Sequence, residues 1–149
     1  MLKSIKRMMR AAQPEAGALP GGERRQLQLA VAVLVHEARR ADAQEAREES
    51  DAGEHALAEL FGLDAAGARE LLAHGREKAA HLTSFYAPLA VIKREYDMEQ
   101  RIRLVEHLWR VSFADGALGL YEDHYVRKIA HLLYVPNTQC MLARNRARG

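Results

Sequence analysis

From Leu27 onward, Leu27, Val31, Leu34, Val35 and Ala38 recur at three- and four-residue spacing, the period of a helix with one buried face. The loop residues Pro14, Gly17, Pro20, Gly21 and Gly22 precede this first long helix, and its pattern lapses around Asp42. A second helix is predicted from about Glu49, bringing Ala52, Ala56, Leu57, Leu60 and Phe61 to one side before Gly62 stops it. Asp64 caps a third, whose stripe of Ala68, Leu71, Leu72 and Ala79 runs to about Leu82. A shorter helix spans about Phe85 to Tyr96 and contains Pro88, acceptable only in a first turn or at a kink. Asp97 with Gln100 has the form of a capping box, opening a helix through Ile102, Val105, Leu108, Trp109 and Ser112 to Ala114, with Gly116 ending it. From about Tyr121 another places Tyr125, Ile129, Leu132 and Leu133 on one face and stops before Pro136, after which Asn137 can cap a last short helix through Met141 and Leu142. Strand-like alternation is nowhere sustained. The expected fold is all-α, a bundle of six to eight helices.

The pattern repeats. Adding 73 to the numbers of the first long helix lays Val31 on Leu104, Val35 on Leu108, Ala38 on Val111, Ala41-Asp42 on Ala114-Asp115 and Glu49 on Glu122. With one residue dropped, an offset of 72 lays Leu57 on Ile129, Ala58 on Ala130, Leu60 on Leu132 and Leu63 on Val135. Each half therefore reads as a helical hairpin, about 27–63 and 100–135. Each hinge begins with Ala-Asp and presents a Glu seven residues after the Asp. A Glu near a helix N-terminus is stabilised by the macrodipole, whereas an Asp at a helix C-terminus needs a cation, a donor or water.

With 149 residues, the chain suits one domain, or two very small halves, that folds without disulfides or a metal staple, and the single Cys140 offers neither a disulfide framework nor a thiolate zinc cluster. No apolar run approaches the roughly 20 residues needed to cross a bilayer. Net charge is only +2, but its distribution is uneven: residues 1–40 carry +5, 41–70 carry −7 and 71–149 carry +4. The acidic block from Asp42 to Asp51 reads either as a cation site or as a solvated helix end. Residues 1–22 form a basic segment and loop ahead of a domain at 23–149. Its first ten residues start like a signal peptide, but Arg7 and Arg10 interrupt it and no apolar stretch follows, so export is not expected. Leu2, Ile5 and Met9 can share a helical face flanked by Lys3, Lys6, Arg7 and Arg10, which suits peripheral contact with a membrane surface or a partner; a disordered basic tail is the alternative. Arg144, Arg146 and Arg148 read as a solvated or frayed last turn, too few for a nucleic-acid tail.

The seven histidines mostly fail a spacing test for metal or catalysis. His36-Glu37 begins like the zinc-protease helix motif, but the second ligand position is Arg40. His124, within a turn of Glu122 and Asp123, is the best reserve ligand. Cys140 reads as a small buried side chain, and Trp109 with Tyr96, Tyr121, Tyr125 and Tyr134 as the core and rim of the second half. No phosphate-binding glycine loop, nucleophile elbow or paired acid and base is found, so no catalytic residue and no enzymatic activity is expected.

The run Leu108-Trp109-Arg110-Val111-Ser112-Phe113-Ala114-Asp115-Gly116, Glu122, the segment Arg127 to Pro136 and the closing stretch Asn137 to Arg146 resemble the tellurite-resistance TerB family, in particular its stand-alone TerB-like proteins. The resemblance covers about residues 25–148; the first half matches mainly through its Ala-Asp loop and Phe61-Gly62-Leu63. It implies an all-helical domain of two similar halves, a cytoplasmic location with association at the inner face of the membrane in some members, a stress-resistance role and a metal site. Carried over one position at a time, the loop aspartate falls on Asp42 and Asp115, and the glutamate opening the next helix on Glu49 and Glu122. The family loop usually has Gly after the aspartate and often a second acid four positions on. Here the second loop has Gly116 but Gly119, and the first has Ala43 and Ala46. Such a thinned donor set falls short of the six to eight oxygens that Ca²⁺ prefers, so a strong site needs both loops or several waters. The expected function is thus a non-enzymatic module holding a divalent cation, Ca²⁺ or Mg²⁺, through Asp42, Glu49, Asp115 and Glu122; the alternative is a docking domain, like the TerB-like segments of co-chaperones, for a protein partner. No nucleic acid is expected.

Overall fold

A computed structural model describes residues 21–40, 47–114 and 119–149, with backbone alone at 21, 40 and 47–51. The basic segment 1–20, Asp42 and Asp115 lie outside the described residues. Among those described there are seven helices and no strand: α1 (Gly21–Arg40), α2 (Arg47–Phe61), α3 (Ala65–Ala79), α4 (Tyr86–Glu95), α5 (Met98–Ser112), α6 (Leu120–Leu132) and α7 (Asn137–Arg148).

Helix α1 is the axis of the bundle. It packs against α2, α3, α4, α5 and α6, and every residue from Ala30 to His36 is buried. The sequence pattern marks only one stripe, yet Ala30, Ala32 and Val33 also face neighbours. A helix that is apolar around its whole circumference belongs inside a bundle. Helix α5 is the counterpart in the second half, with Leu104, Val105, Leu108, Trp109 and Val111 buried against α6, α7, α1 and α2. Trp109 is fully buried; its indole N–H donates to the Cys140 carbonyl of α7 at 3.2 Å, and the Arg144 guanidinium lies 5.5 Å above the ring.

Local signals account for several helix ends. The Asp64 carboxylate accepts from the Gly67 N–H at 2.7 Å and so opens α3. Asp97 and Gln100 form both bonds of the capping box at 2.9 Å, opening α5. Helix α2 closes with Gly62 in the left-handed region and Leu63 N–H bonded back to Ala58 O at 3.1 Å. Helix α6 closes the same way, Val135 N–H to Ala130 O at 2.9 Å, but the left-handed residue is Tyr134, with φ of 62°. These residues lie 72 apart in sequence, and only the first pair uses the glycine that adopts this backbone without strain.

Two boundaries differ from expectation. Helix α7 starts at Asn137 with Pro136 at the cap position, so Asn137 is its first residue and not its cap, and the helix runs on to Arg148. The last turn is solvated, with Arg146 and Arg148 exposed, but it is not frayed: Arg146 meets Glu106 at 2.7 Å, and Arg144 lies 3.5 Å from Asp123 as well as over Trp109. Helix α3 stops at Ala79, short of Leu82, because Ala80, His81 and Leu82 turn through bonds to Arg76, Lys78 and Ala79 carbonyls.

Arg101 ties three helix ends together. Its guanidinium donates to Tyr96 O at 3.0 Å, Lys93 O at 2.8 Å and Leu133 O at 3.1 Å, meeting the carbonyl ends of α4 and α6 from the first turn of α5. A cation at two helix C-termini is favoured by the macrodipoles, and charge-assisted bonds are the stronger kind. Arg101→Gln should destabilise the fold by about 1–2 kcal/mol, since the site is only partly buried and water replaces some of the lost donors. Chemical denaturation checks this; an unchanged midpoint would mean that the clamp is ornamental.

His107 joins α5 to α2. It is 6% exposed, and its Nε2 lies 3.6 Å from a Glu59 carboxylate oxygen. Burial holds its pKa below the usual 6.5; Glu59 opposes this, while Arg110 and Arg103 reinforce it and Glu106 opposes it slightly. Because the folded state takes up this proton less readily than the unfolded chain, the stability it contributes is present above pH 6.5 and is lost as pH falls toward the lowered folded value. Denaturation midpoints at neutral and mildly acidic pH should therefore separate more in the unmodified protein than in His107→Gln. Equal separations would show that His107 does not carry the acid sensitivity.

Candidate functional site

Of the four acids carried over from the resemblance, Glu122 is the one whose side chain is described. Glu49 is the third residue of α2, with its side chain outside the description, and Asp42 and Asp115 belong to the undescribed hinges 41–46 and 115–118. Glu122 is likewise the third residue of α6, whose cap position is Gly119. Each glutamate thus sits where the exposed N–H groups and the positive end of the helix dipole favour a carboxylate.

Glu122 as a residue is 7% exposed, which is low for an acid on a first helical turn. It folds back over Gly119: a Cβ built there would collide with Oε1 and come within 3.3 Å of Cδ. The absence of a side chain at 119 is what gives the carboxylate its place. Any side chain at that position, an acidic one included, would compete with Glu122 for this space.

Neighbouring groups are engaged elsewhere. Asp123 pairs with Arg127 at 2.9 Å and lies 3.5 Å from Arg144, while His124 is exposed. Among the described residues no group of three or more His, Cys, Asp or Glu side chains is arranged to hold a metal ion. Residues 115–118, Asp115 among them, lie outside the described residues. Carboxylate and carbonyl oxygens suit hard cations, and no thiolate is at hand because Cys140 is buried in α7. Burial also pushes the Cys140 thiol up.

One turn beyond Glu122, Tyr125 anchors α6 to the first half. Its hydroxyl donates to Leu34 O of α1 at 2.8 Å, and its ring meets Phe85 edge-on at 6.1 Å. Burial pushes its pKa well above the ordinary value, with Glu37 and Tyr121 adding to the effect, so the hydroxyl stays a donor. Leu120 and Tyr121, immediately before Glu122, are 87% and 58% exposed. Sequence patterning marks Tyr125 as core but carries no signal for its bond to α1, or for the Glu122 carboxylate lying over Gly119.

The fold and hinge define a class: an all-helical bundle in which a glutamate opens the helix after an Ala-Asp hinge. The family model described as tellurite resistance protein TerB matches residues 28–145, and the chain belongs to that family. No curated protein and no solved structure matches the chain.

Proposed function

We propose that this protein is a non-enzymatic module of the tellurite and stress resistance type that binds a divalent cation, Ca²⁺ or Mg²⁺, at its acidic inter-helix hinges. The observation that carries the reading is Glu122: a buried acidic residue whose carboxylate is seated over a glycine, opening a helix directly after a segment that contains Asp115. Asp115 and Glu122 would hold the ion in the second hinge, and Asp42 and Glu49 would do so in the first. Bound there, the cation neutralises the acids and draws each hinge onto the start of the following helix. The reading places the module in the cytoplasm, with residues 1–10 available for peripheral contact; no helix among the described residues is long and apolar enough to cross a membrane.

Calorimetric titration of the full chain with Ca²⁺ and with Mg²⁺ tests the proposal. Saturable heat is expected from the unmodified protein and none from an Asp115→Asn/Glu122→Gln variant if the second hinge is the binding one. Identical saturable titrations would remove the second hinge from the site, and the absence of saturable heat in the unmodified protein would reject the proposal.

A second reading, docking of a protein partner, is favoured by Leu120 and Tyr121, two consecutive apolar side chains exposed at the start of α6. Pull-down with the same variant separates the readings, since docking predicts unchanged partners after ion binding is lost.

A further inference from the structure

We propose that Tyr125 is the positioning residue of the cation ligand Glu122, and that its contacts with Leu34 and Phe85 couple a cation held by Glu122 to the first half of the bundle. The inference rests on the cation reading above. Glu122 fits such an ion: it is a buried acid whose carboxylate lies over Gly119, and among the described residues it has no ion-pair or hydrogen-bond partner. A carboxylate withdrawn from water without a partner favours a ligand of opposite charge.

Where that carboxylate stands depends on what holds the start of α6. The first turn does little to hold itself, because Leu120 and Tyr121 are exposed and Gly119 supplies no side-chain cap. Two side chains tie it to other helices. Asp123 faces Arg144 of α7, but at 3.5 Å the facing atoms, Asp123 Oδ1 and Arg144 Nε, make no hydrogen bond. Tyr125 is the firmer tie: it is buried, its hydroxyl donates to Leu34 O at 2.8 Å, and its ring meets Phe85 edge-on at 6.1 Å. A buried hydrogen bond is directional, so this one sets the rotation and height of α6 against α1. Glu122 stands three residues before Tyr125, on the neighbouring turn of the same helix, and takes its position from that setting.

The far side of the joint is rigid. Leu34 is fully buried in α1, which packs against five other helices, and Phe85 occupies the cap position of α4. A cation that had to order the start of α6 on binding would lose affinity to that cost; the Tyr125 bond meets the cost beforehand. Linkage makes the effect reciprocal. A cation on Glu122 strengthens the Tyr125 joint by the same factor by which the joint strengthens cation binding, so occupancy is felt at Leu34 and at Phe85.

Tyr125→Phe tests this, because it removes one oxygen and keeps the ring against Phe85. Leu34 O retains its bond within α1, so no buried group is orphaned and the variant keeps its fold, which circular dichroism verifies. The full chain and the variant are titrated with calcium chloride and with magnesium chloride by calorimetry. The variant should bind about fivefold more weakly or worse. A merely structural tyrosine would lower the metal-free melting temperature and leave Kd unchanged. In nitrogen-15 NMR spectra, the Leu34 and Phe85 amide peaks should move as the unmodified protein is saturated and stay in place in Tyr125→Phe. A Kd equal in the two proteins, or Leu34 and Phe85 peaks that do not move in the saturated unmodified protein, overturns the inference and leaves the cation reading standing. No saturable binding by the unmodified protein removes that reading and the inference with it.

Discussion

Gly75→Val should destabilise the protein by at least about 3 kcal/mol, the upper end of what overpacking costs, because α1 and α3 touch through backbone at this point. A Cβ on Gly75 would stand 2.6 Å from the Ala32 Cβ, 2.8 Å from its carbonyl carbon and 2.9 Å from its carbonyl oxygen. A flexible side chain could turn away from such a contact, but a helix backbone cannot. The whole of α1 would have to shift, and α1 also carries the packing of α2, α4, α5 and α6. Two effects oppose each other in the smaller change, Gly75→Ala. Helix propensity favours alanine by about 1 kcal/mol, whereas the clash with Ala32 costs more, so that variant should also lose stability. Gly53→Ala is the control: its Cβ would meet only side-chain atoms, Leu72 Cδ2 at 3.1 Å, Arg39 Cδ at 3.2 Å and Val35 Cγ1 at 3.4 Å, which can give by a few tenths of an ångström. Chemical denaturation should rank the variants Gly53→Ala, Gly75→Ala, Gly75→Val in order of increasing loss. A Gly75→Val midpoint equal to that of the unmodified protein would refute the close approach.

Why some of this is legible in sequence and some is not follows from the range of each interaction. Asp64 and the Asp97/Gln100 box cap their helices through residues three apart, so the sequence contains the whole interaction. The Gly62 helix end is local in the same sense. Its counterpart at Tyr134 is not, because nothing about a tyrosine announces a left-handed backbone; only the 72-residue correspondence with Gly62 points to it. Burial around the whole of α1 is half legible: the stripe of Val31, Leu34, Val35 and Ala38 shows as periodicity, while Ala30, Ala32 and Val33 acquire neighbours only when five other helices arrive. Arg101 and Gly75 leave no periodic trace, since their partners are backbone atoms 5 to 43 residues away. At the hinges, the acid content and the Asp-to-Glu spacing are plain in the sequence. The seat of the Glu122 carboxylate over Gly119 depends on a side chain that is missing, and a departure from the family pattern marks the place without giving its consequence.

Divalent cations should raise the melting temperature. A ligand that binds only the folded state stabilises it by RT ln(1 + [L]/Kd), about 2.7 kcal/mol at a hundredfold excess over Kd. Hinges with two carboxylates each and no thiolate should give micromolar to millimolar affinity for Ca²⁺ or Mg²⁺. If both hinges contribute, Asp42→Asn and Asp115→Asn should each reduce the shift and the double change should abolish it. If one hinge binds, Asp115→Asn should have the larger effect, because Gly116 permits a tighter turn than Ala43. Two variants at the described end of the second hinge separate an ion ligand from a helix cap. A glutamate that only answers the macrodipole loses the same stability in Glu122→Gln with or without metal, whereas a ligand loses the metal-dependent part. Gly119→Ala keeps every charge but puts a Cβ where the Glu122 carboxylate lies, so the carboxylate must swing out toward solvent. As the end of a flexible side chain it can do so at small cost in metal-free stability, and the ion response should fall with it. A melting temperature indifferent to millimolar Ca²⁺, Mg²⁺ and Mn²⁺ in the unmodified protein would leave the hinge acids as charged helix ends and shift the function to docking at the exposed start of α6.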